Sequence, residues 1–81
     1  MTGKNISEDP YAALGNAIIL QAVKDYRAVL KRIKHNPKNR IAIDEALTIE
    51  KFFRGSLFGV ITNVDPEFLI GKLQDEIRQS K

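Results

Sequence analysis

Side chains able to do covalent or acid–base chemistry are few along this 81-residue chain, which has one histidine and no cysteine. Without a thiol there is no disulfide and no thiolate zinc site, and no glycine-rich stretch has the spacing of a phosphate-cradling loop. The acidic pairs Asp44-Glu45 and Asp75-Glu76 are adjacent, so on a helix their side chains diverge by about 100° and do not converge on one proton or metal. His35 follows a run of lysines at the end of a helical pattern, where its expected work is to meet the last carbonyls of that helix. These residues point away from an enzyme, and no cofactor or metal is expected.

Charge is the strongest remaining signal. Lys24, Arg27, Lys31, Arg32, Lys34, Lys38 and Arg40 set seven cations against the single acid Asp25, while the rest of the chain is net acidic, so a formal charge of +3 conceals about +6 against −3. Such a segment suits a phosphate backbone or an acidic partner. The competing reading is structural, since cations near a helix end complement its dipole and long basic side chains solvate an exposed face. A helix-turn-helix drawn across Gly55-Ser56 fails on residue type. Its recognition segment Ser56–Thr62 is mainly apolar and the last helix is rich in acids, whereas reading a groove takes donors.

Apolar side chains offer a second kind of site. Phe52, Phe53, Phe58 and Phe68 belong mostly in a core. Phe52 and Phe53 are adjacent, however, and cannot both face inward from one helix. An exposed Phe52 beside Leu20, with Leu57 and Phe58 near it, would form a patch for a protein partner or a second copy. Asn16 lies on the apolar stripe of the first helix, where a buried amide would set register and a wet one would do nothing.

These residues must be positioned by helices. Asp9-Pro10 reads as a cap followed by a proline at the first helical position. From there Ala12, Asn16, Ile19, Val23, Tyr26, Leu30 and Ile33 recur every three or four residues, widened by Leu14, Ile18, Ala22 and Val29, until His35-Asn36-Pro37 stops the helix. A second helix is expected from about Asn39 to Arg54, with Ala42, Ala46, Ile49 and Phe53 on its inner line, ended by Gly55. Ser56–Thr62 reads as short helical turns in the absence of a partner strand, and Asp65-Pro66-Glu67 starts a last helix that buries Leu69, Ile70, Leu73 and Ile77. The expected fold is all-α: a small three-helix bundle with a long N-terminal helix and an additional short helical segment before the last helix. A disordered tail over residues 1–8 and one domain over 9–79 are expected. The longest uncharged apolar run, Tyr11 to Val23, is too short and too interrupted to span a bilayer, so no membrane contact and a cytoplasmic location are expected.

The blocks Tyr11–Arg27, Ile49–Ser56 and Ile61–Asp65 are similar to those of a family of small uncharacterised helical proteins encoded by prophages and mobile elements of Gram-positive bacteria. Members tend to carry a tryptophan or other large residue soon after the Phe-Phe-Arg-Ser block. Here Leu57-Phe58 stands in that region and the chain has no tryptophan. The resemblance implies a setting and no activity. Together with the residues it predicts a small binding or regulatory protein acting through protein contacts, possible self-association included, with a nucleic-acid accessory role through the Lys24–Arg40 segment as the alternative.

Overall fold

The computed structural model describes residues 17–80. The tail over 1–8, the start at Asp9-Pro10 and the position of Asn16 lie outside the described residues. Within them the chain forms α1 (Ala17–His35), α2 (Arg40–Arg54), α3 (Ser56–Ile61) and α4 (Pro66–Gln79). The three longer helices make the bundle that the periodicity predicts, and the Ser56–Thr62 stretch is helical up to Ile61, with Thr62 extended as its cap.

Each boundary has a local cause. Pro37 disfavours helical angles at Asn36, and the Asn36 N–H closes α1 on the Arg32 carbonyl at 2.9 Å. Asn39 then caps α2, its side-chain oxygen accepting the Ala42 N–H at 3.1 Å. After Arg54 the Gly55 N–H bonds the Phe52 carbonyl at 3.1 Å. A Cβ at Gly55 would lie 3.2 Å from the Lys51 carbonyl oxygen, so glycine suits this close approach. Asp65 caps α4 by accepting the Glu67 N–H at 3.2 Å, with Pro66 in the first turn where its missing donor costs nothing.

The pairings between helices give the topology. Tyr26 meets Glu50 and Arg32 meets Glu45, so α1 and α2 run antiparallel. Tyr26 meets Gln74 and Lys34 meets Ser80, so α1 and α4 run parallel. Ile19, Val23, Tyr26 and Val29 of α1, Ala42, Ala46 and Phe53 of α2, and Leu69, Ile70, Leu73 and Ile77 of α4 are buried. The two alanines let α2 approach α1 closely near their turn. At the other end of α2 the space is filled by Phe53, which stands edge-on to Tyr26 at 5.7 Å and to Phe58 of α3 at 5.6 Å.

One aromatic departs from the expected core. Phe68 is 64% exposed because the inner stripe of α4 begins one residue later at Leu69, and a step of about 100° turns Phe68 outward.

A polar network runs from the core of the bundle out to its surface. The Tyr26 ring is fully buried, its hydroxyl donates to Glu50 Oε2 at 2.6 Å and accepts from Gln74 Nε2 at 3.1 Å. Burial, and then the bond to Glu50, raise the Tyr26 hydroxyl above its ordinary range, so it remains a neutral donor. Arg54 continues the network, reaching Glu50 within α2 at 3.3 Å and gripping Glu67 of α4 through two nitrogens at 2.5 and 2.9 Å. Those bonds hold the Glu67 carboxyl below its usual range.

Tyr26→Phe removes the hydroxyl and leaves Glu50 and Gln74 short of a partner, so it is expected to lower unfolding free energy by about 1–2 kcal/mol. Phe53→Ala leaves a cavity among three helices and is expected to cost about 3–5 kcal/mol, while the exposed Lys72→Ala stays within about 0.5 kcal/mol. Urea denaturation measures all three; equal effects of Tyr26→Phe and Lys72→Ala would remove the network from the account. Because Glu67 titrates lower when folded, its contribution is present above its unfolded carboxylate range and is lost as pH falls through its folded value. Glu67→Gln is therefore expected to flatten the fall of the urea midpoint as pH drops below the ordinary carboxylate range, relative to the parent.

Candidate interaction surface

The seven cations that the sequence groups together do not share a face. Arg27 and Lys34 are seven residues apart on the side of α1 turned toward α4. Arg27 bonds Glu76 at 3.2 Å, and the Lys34 ammonium donates to the Ile77 carbonyl at 2.8 Å and to the Ser80 carbonyl. Lys34 thereby joins the Ser80 N–H and hydroxyl, which also bond the Ile77 carbonyl, at the end of α4 that carries the negative end of its dipole. Arg32 lies on the opposite flank, paired with Glu45 of α2. The cause is helical geometry: cations bordering the apolar stripe reach across to the neighbouring helix on either side. Lys24 is exposed on α1, Lys31 is exposed beside Lys34, His35 and Ser80, Lys38 sits in the α1–α2 turn and Arg40 opens α2. These four are exposed and take part in no ion pair among the described residues. His35 is exposed at the end of α1 and donates no hydrogen bond among the described residues, so the expected carbonyl contact is absent and Lys34 performs that kind of work on α4 instead.

The predicted aromatic patch is redrawn. Phe53 is buried and Phe52 half-buried, as their adjacency requires. Phe58 is 1% exposed and leaves the patch, because α3 packs this ring against both Phe52 and Phe53, at 6.2 and 5.6 Å. Leu20 packs half-buried against the core and is not among the residues that line the groove beside Phe52. The wall facing Phe52 is instead Ala17, Ile18, Gln21, Ala22 and Asp25 of α1, which with it form an open apolar groove along the α1–α2 seam. Past Asp25 the seam continues between Ala28 and Val29 of α1 and Thr48 and Ile49 of α2, and ends at the Arg32–Glu45 pair. The small side chains of Ala17, Ala22 and Ala28 keep the groove open where larger residues would fill it. Asp25 is its charged rim, receiving a hydrogen bond from Gln21 at 2.9 Å.

Leu57 remains a surface residue at 53% exposure, and Val60, three residues on, is 83% exposed. Both follow from Phe58 facing inward, since the positions one before and two after a buried helical residue turn outward. The sequence reading placed Ile18 and Ala22 on a broad inner face, yet Ile18 is 56% exposed. The signal that separates them was faint: they widen the stripe on its α2 side, and α2 covers the stripe only in part.

Two polar residues that organise the interior, Glu50 and Gln74, carried no sequence signal. Each adjoins a core-stripe residue, Ile49 or Leu73, in the chain, and only the contact of both with Tyr26 singles them out. The Tyr26 hydroxyl is engaged on both sides and is best described as structural. Among the described residues no set of three or more His, Cys, Asp or Glu side chains is placed to hold a metal ion, and no described helix is long and apolar enough to cross a membrane. No protein-family model, curated protein or solved structure matches this chain.

Proposed function

We propose that the chain is a small binding or regulatory protein that acts through apolar contacts with another protein chain, centred on the α1–α2 groove. The observation that carries this reading is the groove itself, in which half-buried Phe52 faces Ala22 and Ile18 across an open seam. An aromatic anchor beside small side chains is the arrangement that protein interfaces use, because a partner side chain can displace water from it and meet a flat apolar ring. Leu57 and Val60 add apolar area on α3. A prophage or mobile-element setting rests on the sequence resemblance alone and forms part of the proposal.

A nucleic-acid role is the second reading, and the observation in its favour is the set Lys24, Lys31, Lys38 and Arg40, which have no ion pair among the described residues. Arg27, Arg32 and Lys34 are committed to Glu76, Glu45 and the end of α4, so the phosphate-binding charge is about half of what the sequence promises. Each phosphate contact adds about one unit to the salt slope, and four give a weaker and shallower dependence than seven.

Two measurements decide between these. A photo-cross-linking side chain at Gln21, in the groove, is expected to give a discrete protein adduct in cells, and the same group at Lys72, exposed on α4, none. The mass of that adduct tells a second copy from a different protein, and absence of any adduct from Gln21 removes the groove reading. Fluorescence anisotropy with duplex DNA and with RNA is expected to show dissociation constants no tighter than about 100 µM at physiological salt. Binding at about 1 µM that weakens steeply with salt and is lost in Lys24→Glu with Lys31→Glu would put the second reading first.

A further inference from the structure

We infer that α3 is a hinged flap, opening as a unit while α1, α2 and α4 stay folded, and that its opening enlarges the apolar groove by uncovering Phe52. The second half of this inference rests on the groove being a binding surface; the first half does not.

Little holds α3 in place. It has six residues, Ser56–Ile61, and a helix of that length has no stability of its own in water. Its cap, Gly55, supplies no side-chain hydrogen bond, leaving the first N–H groups without the partner that Asn39 and Asp65 give α2 and α4. Gly59 sits in its interior, where glycine is a poorer helix former than alanine, and nothing lies within 4 Å of where a Cβ would stand. No side chain from Ser56 to Ile61 takes part in a hydrogen bond or an ion pair among the described residues. Of its five side chains Phe58 alone is fully buried, Ile61 is half-buried against the core, and Leu57 and Val60 face out.

The flanks are built as hinges. Gly55 (φ −82°, ψ 169°) and Thr62 (φ −145°, ψ 158°) are both extended, so the helical turns are bounded on each side by residues that belong to no helix. Beyond Thr62, Val64 packs against the core and Asp65 is fixed as the α4 cap, which anchors the far end. The principal packing of α3 is on α2, its neighbour in sequence. α4, by contrast, is tied to α1 and α2 through Gln74, Glu76, Ile77 and Glu67. Elements with few buried contacts and no side-chain ties open before the rest of a domain does.

What opening exposes follows from the ring geometry. Phe58 lies edge-on against Phe52, with centroids 6.2 Å apart, on a ring that also lines the α1–α2 groove. When α3 swings out, this face of Phe52 and the vacated seat of Phe58 join the groove as one apolar surface, and a partner side chain can take the seat. Binding there would favour the open form by its difference in affinity for the two states.

Residue-resolved native-state hydrogen exchange on the full chain tests the flap without any partner. The amides of Val60, Ile61 and Thr62 are expected to exchange at least about 100-fold faster than those of Val29 and Leu73, with one common opening free energy among the three. Gly59→Ala should slow all three by about fivefold, the factor that corresponds to the glycine–alanine difference in helices. Phe58→Leu, which keeps an apolar plug, should speed all three together. Protection of α3 equal to that of α1 and α4 would overturn the proposal, and unequal responses of Val60 and Thr62 to Gly59→Ala would overturn it in favour of fraying at one end. A missing Gln21 adduct leaves these exchange rates unaffected and removes only the link to binding.

Discussion

The bundle depends on one buried hydroxyl being satisfied from two directions. Tyr26 is the largest fully buried side chain of α1, and a phenol sealed in an apolar interior is costly unless its oxygen finds partners. Glu50 and Gln74 provide them from α2 and α4, so a single oxygen determines how far each of those helices can slide or rotate about α1. An apolar residue of the same volume would fill the space with no such demand. Fixing register is the use best attested for polar groups in helical cores, and here the Phe53 edge against the Tyr26 ring adds a steric constraint to the polar one.

Around that centre the charged side chains act as struts between helices more than as a surface. Arg54 with Glu67 spans α2 and α4, Arg27 with Glu76 spans α1 and α4, and Arg32 with Glu45 spans α1 and α2. Exposed ion pairs of this kind contribute little individually, typically under about 1 kcal/mol, and salt screens them. Their value lies in specificity: each pair matches one neighbour at one height and disfavours the arrangement in which α2 and α4 exchange places. Lys34 adds a tie of another sort by placing its ammonium at the end of α4, where it complements the negative end of the helix dipole.

Much of the fold was legible because local rules and the global arrangement agree. Asn39, Gly55 and Asp65 mark helix ends by their own chemistry, and the stripes Ala42–Ala46–Phe53 and Leu69–Leu73–Ile77 are buried as their spacing predicts. The surface was harder to read, since periodicity says which way a residue points from its own helix and not whether another helix lies there. Ile18 sits at the edge of a wide apolar face and is exposed because α2 does not reach over it. The cations fail for the converse reason. Charge content locates Lys24–Arg40 as a basic segment, yet which of its members have acids opposite is decided by Glu45 and Glu76, residues 13 or more positions away. Tyr26 could be placed in the core from its spacing, but nothing in the sequence names Glu50 and Gln74 as its partners.

The exposed apolar residues differ in what the fold requires of them, and that difference bears on function. Phe68 stands alone on the outer face of α4 among exposed Glu67, Lys72 and Asp75, and single apolar side chains on a surface are ordinary. Leu57 and Val60 are turned outward by the burial of Phe58, but the geometry that turns them out does not require them to be apolar. Polar residues would fit those positions equally well and would leave a helix of six residues less prone to unwanted association. The same holds for the wall of the groove, where exposed Ala17 and Ala28 neither fill the core nor solvate the surface. Apolar side chains placed where the fold gains little from them, beside a half-buried aromatic ring that α3 meets on one side, are understandable if another chain meets them.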